Sequence, residues 1–393
     1  MRSTSGGSRL RGELVSEDDG ALARALAAPF LRPGPLTASE IGDGNLNVVY
    51  RVSSGQESVV VKHAPPYLRV VGDAWPLTQD RLRIESEALQ LHGELAPGRV
   101  PVLLAVDLEH AAMVIEDLSS HEVWRTELVR GRHVEGIAEQ VGRYCARTLL
   151  GTSDLLMDPS RRKALATRFT NPELCSITEE LVFTAPYVLA ESNRWDDAAN
   201  ELATGLRADL PMRRAAAQLL WEFRTRHEAL VHGDLHTGSI MVADGDARMI
   251  DPEFAFFGPM AYDTGNVLAN LGFSAIAHEE MGNASFAGTV TGYAHEFWDA
   301  LSDEVRHVWP AGQPWVEPFL AELLADSARY AATELVRRMV GLAHVVDVDS
   351  LPPSPRLHAQ ERAVAGARSL ALGPPVRTLT DLWTRITTEE TPT

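Results

Sequence analysis

Two cysteines in 393 residues, Cys145 and Cys175, exclude a disulfide framework or a cysteine-rich metal centre. Both stand in apolar or mixed surroundings without metal-ligand spacing and read as buried thiols. Positive charge is scarce as well: 36 Lys and Arg face 54 Asp and Glu, for a net charge of −18. A surface of that sign repels nucleic acid and anionic membranes, so neither is an expected partner. A phosphate-bearing ligand must then be received by a local cluster of positive groups together with a metal ion. No stretch approaches the roughly 18 uninterrupted apolar residues of a membrane span, and the polar opening MRSTSGGSRLRGELVSEDDG lacks a signal-peptide core. The expected location is the cytoplasm. The length exceeds one ordinary compact core, which implies two lobes and a cleft.

What is present divides into a β-rich and a helical part. IGDGNLNVVYRV and ESVVVKH are β-branched and apolar and predict a hairpin turned by Ser53, Ser54 and Gly55. From Asp80 the period becomes helical, with Ile84, Ala88, Leu91 and Leu95 at intervals of three and four until Pro97 and Gly98 stop it. VPVLLAVDLE and AAMVIEDL predict two more strands. After Ser119 the segments 134–150, 212–229, 318–346 and 358–371 are helical in period. The expected organisation is a frayed tail over 1–20, a β-rich nucleotide-binding lobe over 21–117, a helical lobe over 118–383 carrying the catalytic, metal and sugar sites, and a second tail over 384–393.

The chemistry concentrates in LVHGDLHTGSIMVADGDARMIDPEF, residues 230–254. The short apolar runs IMV and RMI flank a polar turn at Asp244–Asp246, which predicts a hairpin with Asp234 in the loop before it and Asp251 directly after. Phosphoryl transfer needs one carboxylate to orient the attacking hydroxyl and others to hold the metal that neutralises the phosphates. Asp can also simply cap turns, but the spacing together with His232, Gly233 and the DPE that follows favours the catalytic reading. H-G-D followed by a second Asp after a short strand resembles the aminoglycoside phosphotransferase and choline kinase branch of the protein-kinase-like fold. That resemblance implies an α+β bilobal protein, with Asp234 accepting the substrate's hydroxyl proton and Asp251 binding Mg²⁺. The branch places Asn five residues after the catalytic Asp, whereas this chain has Ser239, a weaker ligand. Glu253, a hard oxygen donor two residues beyond Asp251, is the expected replacement.

HGDLHTGSI followed by DPEFAFFGPMAYDTGN resembles, more narrowly, the 5-methylthioribose kinase family. EIGDGNLNVVYRV (40–52), VVGDAWPLTQDRLRIESEAL (70–89), NPELCSITEELVFTAPY (171–187) and ELVRRMVGLAHVVDVD (334–349) fit it too, so the resemblance spans about residues 36–350. It implies ATP-dependent phosphorylation of the anomeric hydroxyl of 5-methylthioribose in methionine salvage. It also implies a homodimer, for which the sequence offers no independent stripe. A kinase for 5-deoxyribose or an aminoglycoside is the alternative, and a nucleotide-binding pseudokinase is the alternative from another class.

The remaining candidates follow from position. Gly42 and Gly44 supply a turn whose backbone can approach phosphates, with Asn45 beside them and Asn47 assigned to the substrate. Lys62 at the end of VVVK would meet the α- and β-phosphates, held by Glu85 on the next helix, with Glu87 as the rival. Glu116, Asp117 and Leu118 would offer backbone groups to the adenine edge where the lobes join. Gly72, Trp75 and Pro76 predict a loop, and the resemblance places such a loop over the nucleotide. Arg337 and Arg338 lie about 100° apart around a helix, so at most one faces a given groove squarely. The family's paired arginines contact the sugar or its phosphate, a task suited to the guanidinium fork. His232 is expected to orient the catalytic loop, and Asp263 to anchor the backbone after the metal loop or cap the following helix.

Overall fold

The computed structural model describes residues 17–41, 46–68 and 72–388. The expected nucleotide turn at Gly42, Gly44 and Asn45 lies outside them. Two compact units form, one from the chain up to Gln90 plus Pro101–Leu118 and the other from Leu91–Val100 plus Ser119 onward. Residues 91–100 thus cluster with the helical unit, although the composition change had assigned all of 21–117 to one lobe.

The first unit contains α1 (Glu17–Ala27), β1 (Thr37–Glu40), β2 (Val48–Ser54), β3 (Glu57–His63), β4 (Tyr67–Leu68), β5 (Gly72–Pro76), most of α2 (Asp80–Leu95), β6 (Leu103–Asp107) and β7 (Ala112–Glu116). Five strands make an antiparallel sheet in the order β1-β2-β3-β7-β6. Alternation on β2 turns Val48, Tyr50 and Val52 to one face, where they meet Ala23, Ala27 and Leu31 with Val59, Val61 and Val114. β3 is central and buries Val59 through Lys62 in succession, so both of its faces are covered. The hairpin turn is tighter than expected: Ser53 and Ser54 remain in β2, and Gly55 makes the reversal at φ +65°. The stretch around Trp75 is not a plain loop. Gly72–Pro76 pairs with Tyr67–Leu68 through an irregular register, a two-stranded ribbon that the Gly and Pro content concealed.

The second unit begins with β8 (Glu122–Val123), α3 (Trp124–Val129), α4 (Ile137–Gly151), α5 (Pro159–Arg168), α6 (Pro172–Thr178), α7 (Asn200–Ala208) and α8 (Leu210–Thr225). Next come β9 (Ala229–Val231), β10 (Ile240–Ala243), β11 (Asp246–Met249) and β12 (Phe256–Gly258). It closes with α9 (Met260–Glu280), α10 (Ala284–Val308), α11 (Val316–Val340), α12 (Val346–Asp349), α13 (Pro353–Leu372) and α14 (Leu379–Thr387). α9 is buried without interruption from Met260 to Ala277, as befits a helix enclosed on all sides. β10 and β11 form the expected hairpin over Asp244 and Gly245, while β9 pairs with β12. α11 does not run to 346. It ends at Val340, where a Cβ on Gly341 would lie 2.4 Å from the Arg337 carbonyl, and Gly341 O instead accepts from Arg194 N. Neither tail has the expected bounds, because α1 starts at Glu17 and α14 packs Leu382, Trp383 and Ile386 into the interior. No helix among the described residues is long and apolar enough to cross a membrane.

Candidate active site

The loop that follows β9 is shaped by its own backbone requirements. Gly233 has φ +83°, and a Cβ there would lie 2.3 Å from the Phe254 carbonyl oxygen, so only glycine fits. Asp263, in the first turn of α9, accepts from His232 N at 2.6 Å and from Gly233 N at 3.0 Å. It therefore anchors the chain before Asp234, rather than the backbone after Asp251 or the helix end, whose cap is Pro259. Burial pushes its carboxyl up to about 7 against the pull of the two amides. His232 Nε2 donates to Ile250 O at 2.9 Å, and Nδ1 accepts from Asp234 N at 3.4 Å. Burial holds this imidazole below its ordinary pKa and thus neutral. Ile250 N in turn donates to Ser239 O, which ties the loop around Asp234 to the segment leading into Asp251.

The Asp234 carboxylate is one-third exposed and has a basic or donor group at each oxygen. Arg337 Nη2 is 3.6 Å from Oδ1, and His236 Nε2 is 3.5 Å from Oδ2. Burial opposes ionisation, but His236, Arg337 and Arg338 together hold Asp234 below the usual carboxylate range. Arg337 and Arg338 diverge around α11 yet share one acceptor. Both donate through Nε to the fully buried Glu334, to Oε2 and Oε1 respectively, because positions three and four apart lie on one helix face. Asn270 on α9 adds a third donor to Glu334 at 3.1 Å. Burial would raise the Glu334 pKa, and the two guanidiniums reverse this and hold it well below the ordinary value.

Asp251 adopts the left-handed conformation at φ 64°, directly before the short turn Pro252–Phe254. Glu253 is buried, and its carbonyl accepts from Asn171 Nδ2 at 2.9 Å. Asn171 also reaches Ala255 O, so it braces the turn that carries both acids. Ser239 Oγ donates to Asp234 O at 2.9 Å and lies 3.1 Å from His236 Nδ1, which commits the hydroxyl to loop geometry. No group of three or more His, Cys, Asp or Glu suited to a metal occurs among the described residues. Two carboxylates nevertheless suit Mg²⁺, which commonly takes one or two protein oxygens and completes its shell with water and substrate phosphates.

In the first unit, Lys62 Nζ donates to Glu85 at 2.7 Å with both side chains buried, whereas Glu87 lies 3.3 Å from Arg83. Glu116 N donates to Val102 O, so among its backbone groups it is the carbonyl that is expected to face an adenine edge. The side chains of Glu116 and Asp117 are occupied within the unit as well, by Val102 N in the first case and by Ser58 and Arg51 in the second. The Glu116 carbonyl and the backbone of Asp117 and Leu118 carry that expectation. Asn47 Oδ1 accepts from the buried Arg81, which also reaches Leu46 O, Pro65 O and Thr78 O. Asn47 Oδ1 is thus tied to the strand entrance through Arg81.

Residues 37–301 match the phosphotransferase enzyme family. A methylthioribose kinase of Yersinia enterocolitica is 41% identical over 352 residues, covering 86% of this chain and 88% of its own. One from Pectobacterium carotovorum is 42% identical over 355 residues, covering 86% and 89%. The chain belongs to the methylthioribose kinase branch of the phosphotransferase enzyme family.

For this member of the methylthioribose kinases, the structure adds four residues that sequence reasoning did not single out: His236, Glu334, Asn270 and Arg125. Arg125 on α3 donates to Thr237 Oγ1 at 3.2 Å and Asn270 Oδ1 at 2.6 Å, and lies 3.5 Å from Asp347. Its burial pushes the guanidinium down to about 10, with Asp347 opposing. A signal existed for His236, two residues after Asp234 in a loop already under suspicion. Glu334, three and four residues before the Arg pair, was legible from helix spacing. Arg125 and Asn270 are isolated in the chain and carried no such mark.

Proposed function

We propose that this protein transfers the γ-phosphoryl group of ATP to the anomeric hydroxyl of 5-methylthioribose, giving the 1-phosphate for methionine salvage. The observation that carries the reading is the Asp234 carboxylate, kept ionised beside Arg337 on a loop tied to the turn bearing Asp251 and Glu253. Asp234 accepts the hydrogen bond of the sugar hydroxyl and takes its proton as the bond to phosphorus forms. Arg337, with Arg338 behind it, balances charge on the transferring group. Lys62, fixed by Glu85, is assigned to the nucleotide phosphates, and Asp251 and Glu253 would hold Mg²⁺. That ion supplies neutralisation of phosphate charge when bound. Aminoglycosides, as polycations, are disfavoured by two arginines at the acceptor carboxylate.

A coupled ADP-release assay with methylthioribose, 5-deoxyribose and kanamycin tests the substrate. Turnover of methylthioribose at the highest kcat/KM is expected, and turnover of kanamycin alone rejects the reading. Asp234→Asn is expected to fold and bind ATP while losing about 10²–10⁴-fold in kcat. Near-normal turnover in that variant removes Asp234 from its role. The same reading includes a homodimer acting in the cytoplasm; the dimer rests on family resemblance and is tested by light scattering on the purified protein.

A further inference from the structure

His236 has a defined orientation. Its Nδ1 accepts from the Gly238 amide at 3.1 Å, and an amide can only donate, so the ring proton sits on Nε2. Nε2 points at Asp234 Oδ2 from 3.5 Å, on the oxygen opposite Arg337. The contact is longer than a hydrogen bond, and catalytic contacts of this kind tighten as the reactants bind. The ring is wedged in place: a Cβ on Gly238 would come within 2.9 Å of its Cε1 and 3.0 Å of Arg125 Nη1.

We infer that His236 is a positioning residue for Asp234, a neutral Nε2–H donor that fixes the carboxylate's rotation and leaves Oδ1 and its remaining lone pairs to the incoming hydroxyl. The inference rests on Asp234 being the proton acceptor. The charged groups around the pair are Arg337, Arg338 and Glu334 from α11 and Arg125 from α3, and burial among them keeps the imidazole uncharged, its pKa pushed down to about 3. A cationic histidine would instead lower the basicity of Asp234 and could hand it a proton, filling the site that must accept the hydroxyl proton. A neutral donor orients the carboxylate without adding a second acid.

Two substitutions separate this role from simple loop support. Asn places its oxygen near the position of Nδ1 and keeps the acceptor for Gly238 but removes the Nε2–H. Gln can return an N–H near the position of Nε2. In steady-state kinetics across pH 5.5–9, His236→Asn is expected to lose about tenfold or more in kcat with the KM for ATP unchanged, as misplacement of a reacting group does. The acid limb of its kcat/KM profile should move upward, and His236→Gln should recover a substantial part of the lost turnover. Wild-type kcat and an unmoved limb in His236→Asn overturn the inference. So does greater damage in His236→Gln than in His236→Asn, which assigns the ring to loop anchoring. Asp234→Asn measured alongside distinguishes the two failures: high turnover there discards the acceptor assignment itself, whatever His236 does.

Discussion

Glu253 and Ser239 are coupled by what each can still offer. The Ser239 hydroxyl gives its one proton to Asp234 O, so it is a support of the loop, while Glu253 sits two residues beyond Asp251 on a turn braced by Asn171. Glu253→Ala is accordingly expected to raise the Mg²⁺ concentration for half-maximal activity by about tenfold or more, whereas Ser239→Ala leaves it near wild type and lowers kcat. Magnesium titrations of both variants check this, and an unchanged requirement in Glu253→Ala ends its ligand role. At this scale the sequence was readable where spacing encodes chemistry: Asp234, Asp251 and Glu253 stand out within twenty residues. It was opaque where one side chain answers another across the fold. Nothing near Asn270 or Arg125 announces that they meet, nor does anything near Asn47 announce its bond from Arg81.

Helix α9 carries Asp263 and Asn270, and α11 carries Glu334, Arg337 and Arg338, so the site depends on how closely these two helices approach. Gly265 sets that distance. A Cβ there would lie 2.6 Å from Ser327 O and 2.9 Å from Ala331 N, both backbone atoms of α11. Gly265→Ala must push the helices apart and is expected to cost about 1–3 kcal/mol of stability, together with a fall in kcat from displacement of the arginines relative to Asp234. Gly292→Ala in α10 is the control. Beyond the helix's own adjacent backbone and its chain neighbours, no atom lies within 4 Å of the added methyl, and a gain of about 0.5–1 kcal/mol is expected from helix propensity with kcat unchanged. Denaturant unfolding and kcat of both variants check the pair, and a neutral Gly265→Ala contradicts the close-packing argument. Helix existence was legible from period, as with α2, α4 and α13. Helix ends were less so, because the apolar spacing after Val340 continues through a break that only the Gly341 backbone reveals. The β4–β5 ribbon was hidden for the opposite reason: pairing of backbones needs no apolar period.

Over the whole molecule, acidity acts through buried groups rather than through the net charge of −18 alone. His92 and His232 are buried and His236 is largely so, and loss of solvent lowers the pKa of each, to about 3 for His92 and His236. An imidazole depressed on folding gives stability that is present above its unfolded pKa, near 6.5, and is lost as pH falls through the folded value, since the unfolded chain binds the extra proton. Asp263, raised to about 7, acts with the opposite sign over much of the same range, so a bare pH profile of the wild type mixes the two. A difference measurement isolates one residue. His92 is suited to it, because it lies outside the candidate site, with Nδ1 hydrogen-bonded to Tyr144 Oη at 2.8 Å. His92→Gln should be less stable than wild type at pH 8 through poorer packing against Tyr144. The gap should then narrow below pH 6.5 by up to about 1.4 kcal/mol per pH unit, because only the wild type has an imidazole that charges on unfolding. Urea unfolding at pH 8, 6.5 and 5.5 is the measurement, kept above the sequence pI of 5.2 to avoid precipitation. A gap that stays constant across these values would mean that His92 is protonated in the folded protein or already neutral in the unfolded chain.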